Sequence, residues 1–262
     1  MTTRLGTQAA WALSLTLSLV ASATAAPLFF RGVDGTANGV FPGAGPAVEA
    51  RIAFVAAVTD LRTESFETPA TGVPANDLLS IFGGGGTLTQ ATGALGRIEN
   101  LTSLTGPGRF NTTPAANCTA PCKWWQTFRS FEVTLGADVS GFGFYGVDIG
   151  DAGGSITLDF WKDSNAVRSG VAVDSSGERG LVFFGYVDDS FSFNRVTFNV
   201  AQTATSTSLM DRLGFDDLLL GNRAVVNPPP PPPPPPPPVP EPTSLALVGL
   251  SLALLAGLRR RR

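Results

Sequence analysis

From residue 128 to residue 220 apolar and polar side chains alternate with period two, and clusters of Gly, Asp, Asn and Ser divide the run. That alternation is the mark of half-buried β-strands. Seven strands are predicted, over residues 128–135, 140–148, 155–161, 167–174, 180–187, 191–200 and 212–220. Alternate positions gather the apolar side chains: Phe131, Val133 and Leu135; Phe142 and Phe144; Ile156, Leu158 and Phe160; Val196, Phe198 and Val200. A sheet with one apolar face buries it against a second sheet, so the expected fold is all-β, an antiparallel β-sandwich of jelly-roll type. Upstream the pattern loosens. Residues 50–58 and 65–67 suggest strands, with a short helix over 50–57 as the alternative that periodicity does not decide, and residues 83–108 read as hairpins and loops rich in Gly and Thr.

The two ends follow other rules. Residues 1–25 carry Arg4 as their one charge, an apolar run to Val20 and the small-x-small close Ala23-Thr24-Ala25, which together predict a secretory signal helix and a mature start at Ala26. After Asn227 come eleven prolines, residues 228–238. Proline fixes φ and lacks a donor, so this linker is expected to form a polyproline II rod of about 34 Å at ~3.1 Å per residue. Val239-Pro240-Glu241-Pro242 follows, then an uncharged apolar segment, residues 243–258, and Arg259, Arg260, Arg261 and Arg262. That segment is expected to be a helix of about 24 Å at ~1.5 Å per residue, slightly short of a ~30 Å hydrocarbon core. The four arginines stop it on the cytoplasmic side of the inner membrane. Residues 26–227 remain as one exported body.

Val239-Pro240-Glu241-Pro242, the short apolar helix and the arginine cluster resemble, in that order, the PEP-CTERM sorting signal of Gram-negative bacteria. The resemblance implies exosortase, a membrane cysteine protease-transpeptidase, as partner, with cleavage near Pro-Glu-Pro and loss of the helix. Residues 240–242 are then another enzyme's substrate. With that tail behind it, the stretch 139–221 looks like the exported sandwich domains, called choice-of-anchor domains, that often precede such signals. The residues that carry this likeness are VSGFGFYGVDIGDAGGSITLDF, GLVFFGYVDDSFSFNRVTF and DRLGFDDLLLG. This likeness implies a cell-surface or matrix setting associated with exopolysaccharide and biofilm, with no activity attached.

Composition narrows the chemistry. The 262 residues include no His, which removes Ser-His-Asp and Cys-His catalysis and imidazole-bound metals. The body holds thirteen basic and twenty acidic residues, a formal −7 that disfavours nucleic acid and anionic lipid as partners. Cys118 and Cys122 are the only cysteines, and in an oxidising compartment they are expected to close a small disulfide loop. Trp124 and Trp125 follow; neighbours on an extended chain point to opposite sides, so one indole is expected inside and the other outside, placed to stack on a sugar. Gly141 to Gly146 spells G-x-G-x-x-G, but its glycines lie inside an aromatic strand with another strand following, so no dinucleotide site is expected.

Acidic residues gather at predicted strand ends, where Asp commonly caps local N–H groups. Phe66-Glu67 and Phe215-Asp216-Asp217 are similar to the structural calcium site of jelly-roll carbohydrate-binding modules, which makes Glu67, Asp216 and Asp217 candidate Ca²⁺ ligands. No carboxyl pair is marked as acid and base, so a noncatalytic surface or matrix protein is expected ahead of a carbohydrate-binding module, and a polysaccharide hydrolase comes third.

Overall fold

The computed structural model describes residues 26–35, 41–100, 110–113, 117, 121–150, 153–203, 212–224, 248–252, 257 and 259. The chain divides into two units, Met1–Ala224 and Val225–Arg262. In the first, the described residues form two antiparallel sheets.

One sheet runs β1 (Leu28–Asp34), β11 (Leu181–Val187), β8 (Gly141–Val147), β13 (Leu213–Arg223), β6 (Trp124–Thr127), β5 (Arg97–Glu99), with β2 (Val58–Glu64) also paired to β13. The other runs β10 (Asn165–Ala172), β9 (Ser155–Lys162), β12 (Phe193–Ala201), β7 (Phe131–Val139), β4 (Gly86–Gln90), β3 (Leu78–Ile81). The inward sets predicted from the alternation meet between the sheets. Phe198 stacks on Phe131 with ring centroids 4.2 Å apart and touches Phe144 at 5.1 Å and Phe215 at 5.4 Å. All seven predicted strands are present, each with its ends moved by a few residues. Residues 128–130, expected as the start of a strand, lie between two strands. Thr127 Oγ1 donates to the Arg129 carbonyl and accepts from the Arg129 N–H, which turns the chain out of β6 and into β7 of the opposite sheet.

Residues 50–57 resolve as part of a helix, α1 (Pro46–Ala57), that runs directly into β2 at Val58; residues 65–67 are not a strand. Pro46 opens α1 with its φ already helical, and Ala47, Ala50 and Phe54 form its buried stripe. No side chain of its own caps it; the Asp34 carboxylate at the end of β1 accepts from the Ala47 N–H at 3.0 Å. The helix lies on the outer face of the first sheet, against Tyr145, Val147, Leu181, Phe183 and Val187. That is why β8 and β11 are buried on both faces. The glycines of the G-x-G-x-x-G stretch belong to this packing. A Cβ on Gly143 would come within 3.4 Å of the Phe54 ring, and one on its cross-strand partner Gly185 within 2.6 Å. The motif is a notch for a helix.

In the second unit residues 248–252 are helical, and among the described residues no helix is long and apolar enough to cross a membrane. The signal helix, the proline linker, Val239 to Pro242 and Arg260 to Arg262 lie outside the described residues, as does most of the expected apolar helix.

Candidate functional site

The site begins with a defect in a ladder. Along one edge β13 pairs with β6 through Phe215 and with β2 from Leu218 onward, so Asp216 and Asp217 face the gap where one partner ends and the other begins. Against β8 the register slips between Asp216 and Leu219 by one extra residue, a β-bulge, and Asp217 adopts φ 45° within it. The segment 110–113 fills part of the gap. Asp216 Oδ2 accepts from the Thr112 N–H at 2.7 Å, the Thr112 hydroxyl at 3.0 Å and the Thr113 N–H at 3.2 Å, while Oδ1 accepts from the Asp217 N–H at 2.8 Å. A buried carboxylate thus takes the place of the missing strand. Burial and the neighbouring Asp217 push the Asp216 carboxyl well above its ordinary range, against the pull of those donors.

The rest of the gap is a cleft of about 510 Å³. Its floor and walls include Asp217, Tyr145 of β8, Thr63 of β2 and Thr112, with Arg51 and Ile52 of α1 above them. Asp217 Oδ2 lies 3.7 Å from Arg51 Nη2, and the Thr113 hydroxyl donates to Asp217 Oδ1 at 3.4 Å. Burial raises the Asp217 carboxyl, and the Arg51 guanidinium opposes that shift. Tyr145 meets Phe41 and Phe183 edge to face, with the Arg51 guanidinium 5.9 Å from its ring. Burial raises its phenol far above the ordinary value, so the hydroxyl remains a donor.

Glu67 stands nearby with a different task. Its Oε1 accepts from Asn111 Nδ2 and the Lys123 N–H, both at 2.9 Å, and Lys123 Nζ donates to the carbonyls of Glu67 and Pro69 at 2.8 Å. These bonds fasten the loop after β2 to the strand entering β6. Glu67, Asp216 and Asp217 come to one region, Glu67 on a loop rather than a strand, but their donor set does not fit a calcium ion. Calcium needs six to eight oxygens with free lone pairs, whereas Asp216 carries four donors, Glu67 carries two and Asp217 faces a guanidinium. Among the described residues no three Asp, Glu, Cys or His side chains are grouped to hold a metal.

The tryptophans are a second correction. Trp124 and Trp125 are 1% and 0% exposed. Trp125 points between the sheets onto Phe131, and Trp124, its neighbour on the strand, is buried as well. Neither ring offers a face for a sugar. Cys118 lies outside the described residues, and no free cysteine occurs among those described. The remaining acidic pairs do turn chemistry: Asp148 accepts from the Arg179 N–H at 2.7 Å, Asp159 from the Gly170 N–H at 2.7 Å, and Asp188 from the Ser190 N–H at 2.9 Å.

Sequence reasoning missed Arg51, Tyr145, Thr112 and Thr113. Arg51 left one trace, as the only charge between residues 50 and 58. Tyr145 left another, as the second of two adjacent aromatics, which must face opposite sides of a strand.

Fold and tail together define an exported β-sandwich protein whose last residues are a sorting signal. Residues 238–262 match the PEP-CTERM protein-sorting motif, the mark of an exosortase substrate made as a membrane-anchored precursor. No curated protein matches the chain. Among solved structures it is similar to a family 89 glycoside hydrolase from Clostridium perfringens. For the complex with 2-acetamido-1,2-dideoxynojirmycin the identity is 15% and the TM-score 0.24, and for that with PUGNAc 16% and 0.23. Each alignment covers 38% of this chain and 11% of the other, so the chain spans about a tenth of that enzyme's length.

Proposed function

We propose that this chain is a noncatalytic protein of the cell surface or extracellular matrix, released from its membrane precursor by exosortase and associated there with exopolysaccharide. The observation that carries the reading is the sorting motif at residues 238–262, which begins on the last proline of the run 228–238. The site geometry supports the absence of catalysis. A glycosidase needs two carboxyl groups facing across the substrate, whereas Asp217 faces Arg51 and Asp216 is spent on backbone donors.

Replacing Pro240, Glu241 and Pro242 together by Ala is expected to leave the sandwich folded and the tail uncut. Mass spectrometry of the surface fraction reads this directly, and a variant processed like the wild type overturns the reading. The calcium question has its own measurement: EDTA is expected to leave the melting temperature unchanged, and a fall of several degrees would restore Glu67, Asp216 and Asp217 as ligands.

A further inference from the structure

Two donors in the cleft are served by no neighbour. Tyr145 is 1% exposed and lines the cleft, yet its hydroxyl makes no hydrogen bond to any described residue. Arg51 Nε is buried and also lacks an acceptor. Buried polar groups in native proteins nearly always find partners, so the orphaned Arg51 Nε, with the unbonded Tyr145 hydroxyl lining the same cleft, points to something from solution that completes them. Their acceptor counterpart is beside them. The 3.7 Å between Arg51 Nη2 and Asp217 Oδ2 is too long for a hydrogen bond, so guanidinium and carboxyl stand side by side without closing on each other.

That arrangement matches a pair of adjacent hydroxyl groups, one accepting from the guanidinium and the other donating to the carboxyl oxygen. The lining continues the match. Thr63 and Ser65 add hydroxyls on the β2 side, while Phe41 and Ile52, the latter 62% exposed, present apolar surface to C–H groups. Charge selects further, because Arg51 is offset by Asp217 and neither an anion nor a cation gains a net partner. The volume, about 510 Å³, falls within the range of small-molecule sites. We propose that this cleft binds a neutral saccharide, held by Arg51, Tyr145 and Asp217 through its hydroxyls and by Phe41 and Ile52 through its C–H faces. This goes beyond the sorting reading and does not depend on it.

The test is a panel of neutral and uronic-acid oligosaccharides presented to the full chain in detergent micelles. A neutral member is expected to bind. Tyr145→Phe, which removes one oxygen and keeps the ring, is expected to weaken binding tenfold or more with no fall in melting temperature. Ile52→Asp, at an exposed position, is expected to weaken it with the fold intact. Three results overturn the proposal: no neutral saccharide bound at millimolar concentration, binding confined to acidic members, or binding unchanged in both variants. Tail processing, followed separately by mass spectrometry, is untouched by any of them.

Discussion

Asp216 bears the sharpest consequence for stability. Asp216→Ala leaves the Thr112, Thr113 and Asp217 N–H groups without their acceptor in a buried place, and about 2–4 kcal/mol of stability is expected to go with it. A lower urea midpoint at constant slope is the readout. The pH dependence has a definite sign. Asp216 and Asp217 titrate above their ordinary 3.8 when folded, chiefly because burial disfavours the charge. Their contribution is complete below the unfolded value and is lost as pH rises through the elevated folded one. As pH rises above the ordinary 3.8, the melting temperature of Asp216→Asn should therefore gain on that of wild type; a constant difference would contradict the assignment. Asp188 runs the other way. Burial raises its carboxyl, but hydrogen bonds from Ser190 and Tyr186 outweigh that and lower it, so its contribution is present above 3.8 and lost on acidification. The importance of Asp216 was half visible in the sequence. An acidic pair inside an apolar strand stands out, but its main donors lie about a hundred positions away in a Thr-Thr step that has no pattern of its own.

Helix α1 and the strands beneath it show what else patterning conveys. Strands β7 to β13 were legible because one face is apolar and the other polar, or because aromatic residues fill both. Strand β1, Leu-Phe-Phe-Arg-Gly-Val-Asp, does not alternate and was missed; it is held by a complete seven-residue register with β11. The helix was ambiguous because an Ala-rich segment suits either state and its cap, Asp34, comes from another element. Its docking rests on absent side chains. Gly185→Ala places a methyl 2.6 Å from Phe54 Cδ2, and a cost of about 1–3 kcal/mol is expected. Phe54→Ala alone should cost about 3–5 kcal/mol. Because the new methyl strikes the ring that the second change removes, the double variant should be destabilised by less than the sum, by more than about 0.5 kcal/mol. Additivity in a double-mutant cycle would mean that the notch does not position the helix.

Across the folded body, acidic residues outnumber basic ones by seven, so the form cut free of its tail is expected to remain in the supernatant when mixed with anionic vesicles. Co-sedimentation would reveal an affinity that the charge does not explain. The beginning and end of the sandwich meet: Arg223 at the end of β13 donates to the Ala26 carbonyl at 3.4 Å and pairs with Asp189 at 3.2 Å. The strand that leaves toward the linker is also the longest, eleven residues, and it is hydrogen-bonded along both edges, to β8 on one side and to β6 and β2 on the other. Any drag on the tail is therefore delivered to a strand locked between neighbours. A pull along its length loads many ladder bonds together instead of peeling them one at a time, a mechanical clamp for as long as the tail holds the precursor at the membrane.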